Sequence, residues 1–415
     1  MNDLKDLLRI PDFRRLWMAQ AISYFGDSLT LFGLLFLVQR LTGNAASVAG
    51  ILIAMSLPML VVGLGAGVWV DRLNRKRVMI WSDILRALLV PIFLIVQSAD
   101  QVWMIYIVAF LIASVSSFFA PARTALVPKV VGMDKLMAAN SISESSRVLF
   151  GVLGTATAGI LVGLFDGFSV VFTIDALTFV ASALLVARLS VSGRAEATGE
   201  VVDKPSARRE FAAGMRVIRR SRLLMGMLVG ASITMFGLGA VNAVLVPFVV
   251  GELALKETWF GLLEASQATS MILAGALAAV LATRLKPTTV IPIGLGVVGV
   301  VAGLFAGLTS VWQLGALLFV MGWFVTPLQA SFATIIQTET PPEMLGRTGA
   351  ALNAALTGSN VAAMAIAGAF AAVIGVRSVF VAAGVIVVIS AVVTALMFRA
   401  APSTSVQPEP QLEMV

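Results

Sequence analysis

The chain has 415 residues, of which 59% are apolar and 12% charged, and its mean hydropathy is +0.97. A soluble domain of this size has no use for so much hydrocarbon surface, so the composition specifies an integral membrane protein. The net charge of +7 is no sign of a nucleic-acid partner, because almost all the bases fall in short loops on one side of the apolar stretches. With no Cys and no His, disulfides, thiolate metal sites and the imidazole proton shuttle are excluded, and proton chemistry falls to carboxylates.

Residues 1–15 are polar and lead into an apolar stretch too long for a signal-peptide core, so the first helix is expected to remain in the mature chain. Spans are predicted near 12–39, 46–70, 77–98, 101–122, 138–163, 168–188, 222–250, 258–284, 288–308, 312–338, 344–372 and 376–398, twelve in all. Of the 29 Lys and Arg, 24 then lie on one side, in the N-terminal segment, the tail and the loops at 71–77, 123–137, 188–222, 284–287 and 339–347. Only Arg40, Lys256 and Arg377 lie opposite, and Arg86 and Arg147 fall within spans. This split predicts that both termini and residues 190–220 are cytoplasmic.

Residues 63–77 organise the chain. Gly63 and Gly67, at i and i+4, permit close approach of another helix, and Asp71 to Arg77 then form a short wet hairpin carrying four cations. This stretch resembles the hairpin between helices 2 and 3 of the major facilitator superfamily, through Gly67, Asp71, Arg72, Arg75, Lys76 and Arg77. Asn74 stands where that family usually has Gly, and Asn is among the few residues that tolerate a left-handed turn. The resemblance implies an all-α fold of twelve helices in two six-helix pseudo-repeats, working by alternating access, with the hairpin latching the halves together when the site faces outward. It further implies a monomer in the bacterial plasma (inner) membrane.

Internal echoes agree. The segment from Pro121 to Asn140 is repeated loosely at 327–349, and Val70-Asp-Arg-Leu-Asn at Ala282-Thr-Arg-Leu-Lys. The division expected is a first half at 1–189, a cytoplasmic linker at 190–220, a second half at 221–399 and a disordered cytoplasmic tail at 400–415. Within the linker, Phe211, Met215 and Ile218 share one helical face and arginines cover the rest. That pattern fits a helix lying on an anionic leaflet, or equally a solvated extension of helix 7.

Seven ionisable residues lie inside spans, where each costs about 2.5 to 3.5 kcal/mol on insertion scales. Asp83 with Arg86, and Glu144 with Arg147, stand at i, i+3 spacing near the cytoplasmic ends of their helices and are assigned to the latch. Asp27, Asp175 and Glu264 have no partner near in sequence and carry the functional assignment, proton coupling or substrate contact, together with Asn242 on helix 7. The segment Tyr24-Phe-Gly-Asp-Ser-Leu-Thr-Leu-Phe resembles the first helix of macrolide-efflux and enterobactin-exporter-like facilitators, and that of lysophospholipid transporters. Helix 5 matches the superfamily's antiporter motif only at Gly151 and Gly159, with Thr155, Ala156 and Ile160 in place of the remaining motif residues. Its glycines at 151, 154, 159 and 163 still give it a smooth face.

No phosphate-binding lysine loop, metal-ligand cluster or activated nucleophile is legible, so neither an enzyme nor a cofactor is expected. The expected function is a secondary active transporter exporting amphipathic small molecules such as drugs, macrolides or siderophores in exchange for protons. The alternative is a lysophospholipid transporter or flippase, and a membrane scaffold or receptor would leave Asp27 and Glu264 without a role. The partners implied are a small amphipathic or lipid-like substrate, the proton and the surrounding membrane lipids.

Overall fold

The computed structural model describes residues 6–400, apart from 64–65, 67–68, 71–72, 166, 192, 194–206 and 283–284. It is all-helical. A first set of helices comprises α1 (Pro11–Thr42), α2 (Ala45–Val61), α3 (Arg75–Leu89, continued by a 3₁₀ segment Val90–Ile95), α4 (Val102–Val131), α5 (Leu136–Phe165) and α6 (Ser169–Ala187). After the short α7 (Ala207–Arg220), a second set comprises α8 (Arg222–Pro247), α9 (Thr258–Ala282), α10 (Pro287–Leu304), α11 (Val311–Glu339), α12 (Leu345–Ile374) and α13 (Val376–Arg399). Among the described residues, 10 helices are long and apolar enough to cross a membrane. The apolar helices α2 and α9 occupy the two remaining positions in the order predicted for twelve spans.

The spans are apolar on nearly every side, because one face of each meets lipid and the others meet helices, and their backbone polar groups are satisfied internally. Within the first set α1 packs on α5 and α6, α3 on α4 and α6, and α2 on α4; within the second α8 packs on α12 and α13, α10 on α11 and α13, and α9 on α11. The sets meet along α2–α12, α5–α9 and α2–α8. The smooth α5 serves two neighbours. Gly154 lies against the Phe25 carbonyl and Ser28 of α1, while Gly159 and Gly163 lie against Thr258 at the start of α9.

Two local features differ from the sequence reading. The loop expected from 123 begins only after Val131, because α4 continues through Pro121 and Pro128, residues that membrane helices tolerate where neighbours support the backbone. Asn74 is extended rather than left-handed (φ −72°), and its side chain caps α3 by accepting the Arg77 N–H at 3.1 Å. At the far end of the second set α8 runs to Pro247, and the chain then passes into a π-type turn at Phe248–Glu252.

The linker helix α7 spends its apolar face on protein. Ile218 is fully buried, Phe211 and Met215 join the same core, and Gly214 sits so close to the Arg347 carbonyl that a Cβ there would collide with it. A break at Ser221, which caps α8 and donates to Glu339 at 2.6 Å, separates α7 from α8, so it is no extension of that helix. The tail beyond residue 400 lies outside the described residues.

Candidate functional site

Alternating helix direction gives the bundle two ends, a terminal end holding Pro11 and Arg399 and a far end holding Thr42 and Val376. At the far end the two sets are in contact. Arg40 Nε donates to Glu257 Oε1 at 2.7 Å across the sets, and its guanidinium lies over the Phe168 ring. One turn deeper, Phe36 of α1 meets Phe260 of α9 with centroids 5.3 Å apart, and Phe32 stacks on Phe36 at 4.4 Å. Gly261 takes Ala156 against its backbone, and Gly368 takes Ala45, Ala46 and Ala49. Each aromatic pair contributes about 0.5 to 1.5 kcal/mol beyond the area it buries, so this is a firm seal.

Toward the terminal end α2 and α12 diverge. A pocket of about 420 Å³ opens between Met59, Leu60 and Gly63 on one side and Gly346, Ala350 and Ala354 on the other. A second pocket of about 530 Å³ lies deeper, between α1, α2 and α4, lined by Asp27, Ser28, Met55, Met59, Ser116 and Ser117 among others.

Asp27 stands on the wall of this inner pocket, halfway along α1, with its side chain 40% exposed. Ser23 Oγ donates to its Oδ2 at 3.4 Å, and Arg86 Nη1 approaches its Oδ1 at 3.6 Å. Arg86 is buried. It bonds Asp83 one turn back on α3, its guanidinium lies 4.2 Å from the centre of the Phe179 ring of α6, and Asp83 in turn accepts from Ser182 Oγ at 2.7 Å. A fully buried carboxylate and a buried guanidinium therefore neutralise one another, while a second carboxylate shares the guanidinium from the pocket side.

Asp175 lies near by at the α1–α6 contact, 1% exposed, accepting from Thr30 Oγ1 and from Thr178 Oγ1 at 3.1 Å. Gly26 makes that contact possible, since a Cβ there would fall on Asp175 and Thr178. The structure thus gathers Asp27, Asp83, Arg86 and Asp175 from three helices into one region. Sequence spacing joins only Asp83 to Arg86.

The other assigned residues lie apart from this cluster. Glu264 is half-buried on α9 and has no hydrogen bond or ion pair with another described residue; it is one turn beyond Phe260 on the same face, just beneath the seal. Asn242 is exposed on α8 without a hydrogen bond to a described residue. Glu144 and Arg147 pair at 3.0 Å on α5, both more than half exposed. Gly67, Asp71 and Arg72 lie outside the described residues. The rest of their hairpin is tied to its own half, for the Arg75 N–H donates to the Gly193 carbonyl at 2.8 Å and Lys76 Nζ to the Leu189 carbonyl at 2.6 Å, and Arg77 uses its N–H on Asn74.

One residue escaped the sequence reading. Arg123, counted there as a loop cation, projects from the continued α4 and donates to Gln20 Oε1 at 2.7 Å and Tyr24 Oη at 3.2 Å on α1. The apolar run after it, Thr124-Ala-Leu-Val, is the signal that the helix does not stop at Pro121.

The chain is similar to known transport proteins in sequence and, among solved structures, in fold. It is 25% identical over 391 residues to macrolide efflux protein A of Streptococcus pyogenes, covering 92% of this chain and 94% of that protein. It is 26% identical to the MFS-type transporter YfiS of Bacillus subtilis, with 93% of each covered. Among solved structures, the nucleoside transporter NupG superposes with a TM-score of 0.73 at 14% identity, over 94% of this chain and 99% of that one. A bacterial homologue of the iron transporter ferroportin, in an inward-facing state, superposes with 0.74 at 14% identity, over 94% and 99%. The family model described as transmembrane secretion effector matches residues 6–414 and places this all-helical chain among the transporters of the major facilitator superfamily.

Proposed function

We propose that the protein is a proton-coupled exporter of bulky amphipathic small molecules, acting as a monomer by alternating access, with the terminal end in the cytoplasm and the far end outside. The charge split between loops supports this orientation. In that orientation the structure is inward-open, sealed by the Phe32, Phe36 and Phe260 cluster and by the Arg40–Glu257 pair. The names of relatives, macrolide efflux protein A and the multidrug efflux pump Tap of Mycolicibacterium fortuitum, support export of this class. The hairpin at 71–77, with Gly67, Glu144 and Arg147, is the proposed latch of the opposite state, whereas Asp83 and Arg86, assigned to the latch from sequence, are engaged with Ser182 and Asp27 inside the first set and serve the proton site in this reading.

The observation that carries the reading is Asp27, a pocket-facing carboxylate at mid-depth whose charge is only loosely held by Arg86 at 3.6 Å. Arg86 has a full-time partner in Asp83, so Asp27 loses its charge on protonation without stranding a buried guanidinium. A cationic or amphipathic substrate and a proton then compete for one carboxylate, which is the elementary requirement of exchange. Asp175, enclosed between Thr30 and Thr178, has the geometry of a reserve site, and Glu264 supplies the second acidic group beneath the seal.

A pH gradient of one unit supplies about 1.4 kcal/mol per proton, so a single titrating carboxylate biases exchange about tenfold. In inverted vesicles, Asp27→Asn is expected to keep the fold and abolish gradient-driven export, while a downhill flippase would ignore a protonophore. Transport by Asp27→Asn at the parental rate with the parental pH dependence would reduce Asp27 to a packing group and overturn the mechanism.

A further inference from the structure

The two pockets are neighbours. Met59 and Gly63 of α2 line both, so what separates the outer pocket from the Asp27 pocket includes one flexible side chain. We propose that the outer pocket is a separate capture site for organic cations, from which they pass Met59 to reach Asp27; the passage, though not the capture, rests on the export reading above.

The lining decides the ligand class. One wall is apolar, made by Met59, Leu60 and Phe211 with Ala350 and Ala354 opposite. The rim carries two carboxylates, Glu210 and Glu343, against one guanidinium, Arg347, which stands 3.9 Å from Glu210. Glu343 is exposed and has no ion pair with a described residue. An anion placed here would meet two carboxylates and a guanidinium already engaged. A delocalised cation with aromatic or aliphatic bulk satisfies Glu343 and the apolar wall together, and about 420 Å³ is within the usual range for a drug-sized ligand.

The pocket is also built and placed for a changing task. Its roof is α7, held by the contact of Gly214 with the Arg347 backbone and by burial of Ile218, so Glu210 and Phe211 are presented from a fixed element. Its two side walls belong to different six-helix sets, and they must converge when the terminal end closes. Closure therefore shrinks the capture site and drives its occupant inward past Met59, or, when the occupant is too large to pass, stops the cycle.

The test is equilibrium binding of tetraphenylphosphonium to the purified full-length protein. The wild type is expected to show two classes of site. Glu343→Lys and, without any change of charge, Ala350→Trp should each weaken one class about tenfold or more. Asp134→Lys, the same charge change on the same end but outside the pocket, should leave both classes intact. Asp27→Asn should remove the other class and spare the one sensitive to Glu343. The proposal is overturned if Glu343→Lys and Ala350→Trp leave both classes unchanged, or if Asp134→Lys weakens binding as much as Glu343→Lys does. Loss of the Glu343 class with no Asp27 class at all supports capture while overturning the Asp27 mechanism, so the two failures are distinguishable.

Discussion

The first and last helices of each six-helix set meet around the same arrangement, built with different chemistry. In the first set Gly26 of α1 admits α6, and Thr30, one turn on, donates to Asp175, beside which stands Thr178. In the second set Gly230 of α8 admits α13, and Thr234, again one turn on, pairs with Ser390 at 2.8 Å, beside which stands Thr394. Ser390 closes its own account by donating to the Gly230 carbonyl at 2.6 Å. Glycine and threonine recur, but the carboxylate is found only in the first set. Close packing of these helices needs a small residue and a hydroxyl, not an ion.

The contrast extends across the molecule. The first set holds Asp27, Asp83, Arg86 and Asp175 at mid-depth. Among the described residues of the second set, Glu264 is the one ionisable group well inside a span, and α8, α10, α11 and α12 instead enclose an apolar cavity of about 260 Å³ with Met227, Leu238 and Phe332 on its walls. Charge that packing does not require is thus concentrated in one half, where the proposed mechanism uses it.

The sharpest way to break this contrast is to remove the compensating cation. Arg86→Met strands Asp83 in the interior and frees Asp27 from its partner, and is expected to cost about 3 to 5 kcal/mol. Thermal unfolding in detergent should show a large drop in midpoint, partly restored by the double change Arg86→Met with Asp83→Leu. A single variant as stable as the parent would mean that Asp83 is not held as an ion.

Exchanging the two devices sharpens the point. Ser390→Asp places a carboxylate where no guanidinium waits and should cost about 2.5 to 3.5 kcal/mol. Asp175→Ser, which copies the second set into the first and keeps a hydroxyl for Thr30, should change stability by less than about 1 kcal/mol. Equal costs for the two exchanges, by the same unfolding assay, would erase the distinction between the halves.

The smallest effect is expected at the seal, where a partly exposed pair holds the halves together. Arg40→Gln should weaken the sealed state by about 0.2 to 1 kcal/mol, a shift of up to about fivefold in the population measured by spin-label distances across the far end. Burial pushes the Glu257 carboxyl up, but the hydrogen bond and charge of Arg40 outweigh it and leave it below the ordinary glutamate value of 4.5. The pair's contribution is therefore present above 4.5 and lost as pH falls through the lowered value, so acidification should loosen the parental seal and leave Arg40→Gln unaffected. The same acid response in both would show that another group controls the far end.

How much of this was legible beforehand follows from distance along the chain. The sequence by itself determined the spans, because a bilayer demands long apolar helices whatever surrounds them, and it paired Asp83 with Arg86 and Glu144 with Arg147, because three residues make almost one helical turn. Tertiary structure alone decided the rest. Asp27 finds Arg86 from 59 positions away, Arg123 turns from a loop cation into a ligand of Gln20 and Tyr24, and the apolar face of α7 is covered by α12. Period and composition describe one helix at a time; which face of it meets water, lipid or another helix is set by helices remote in sequence, whose packing no local pattern records.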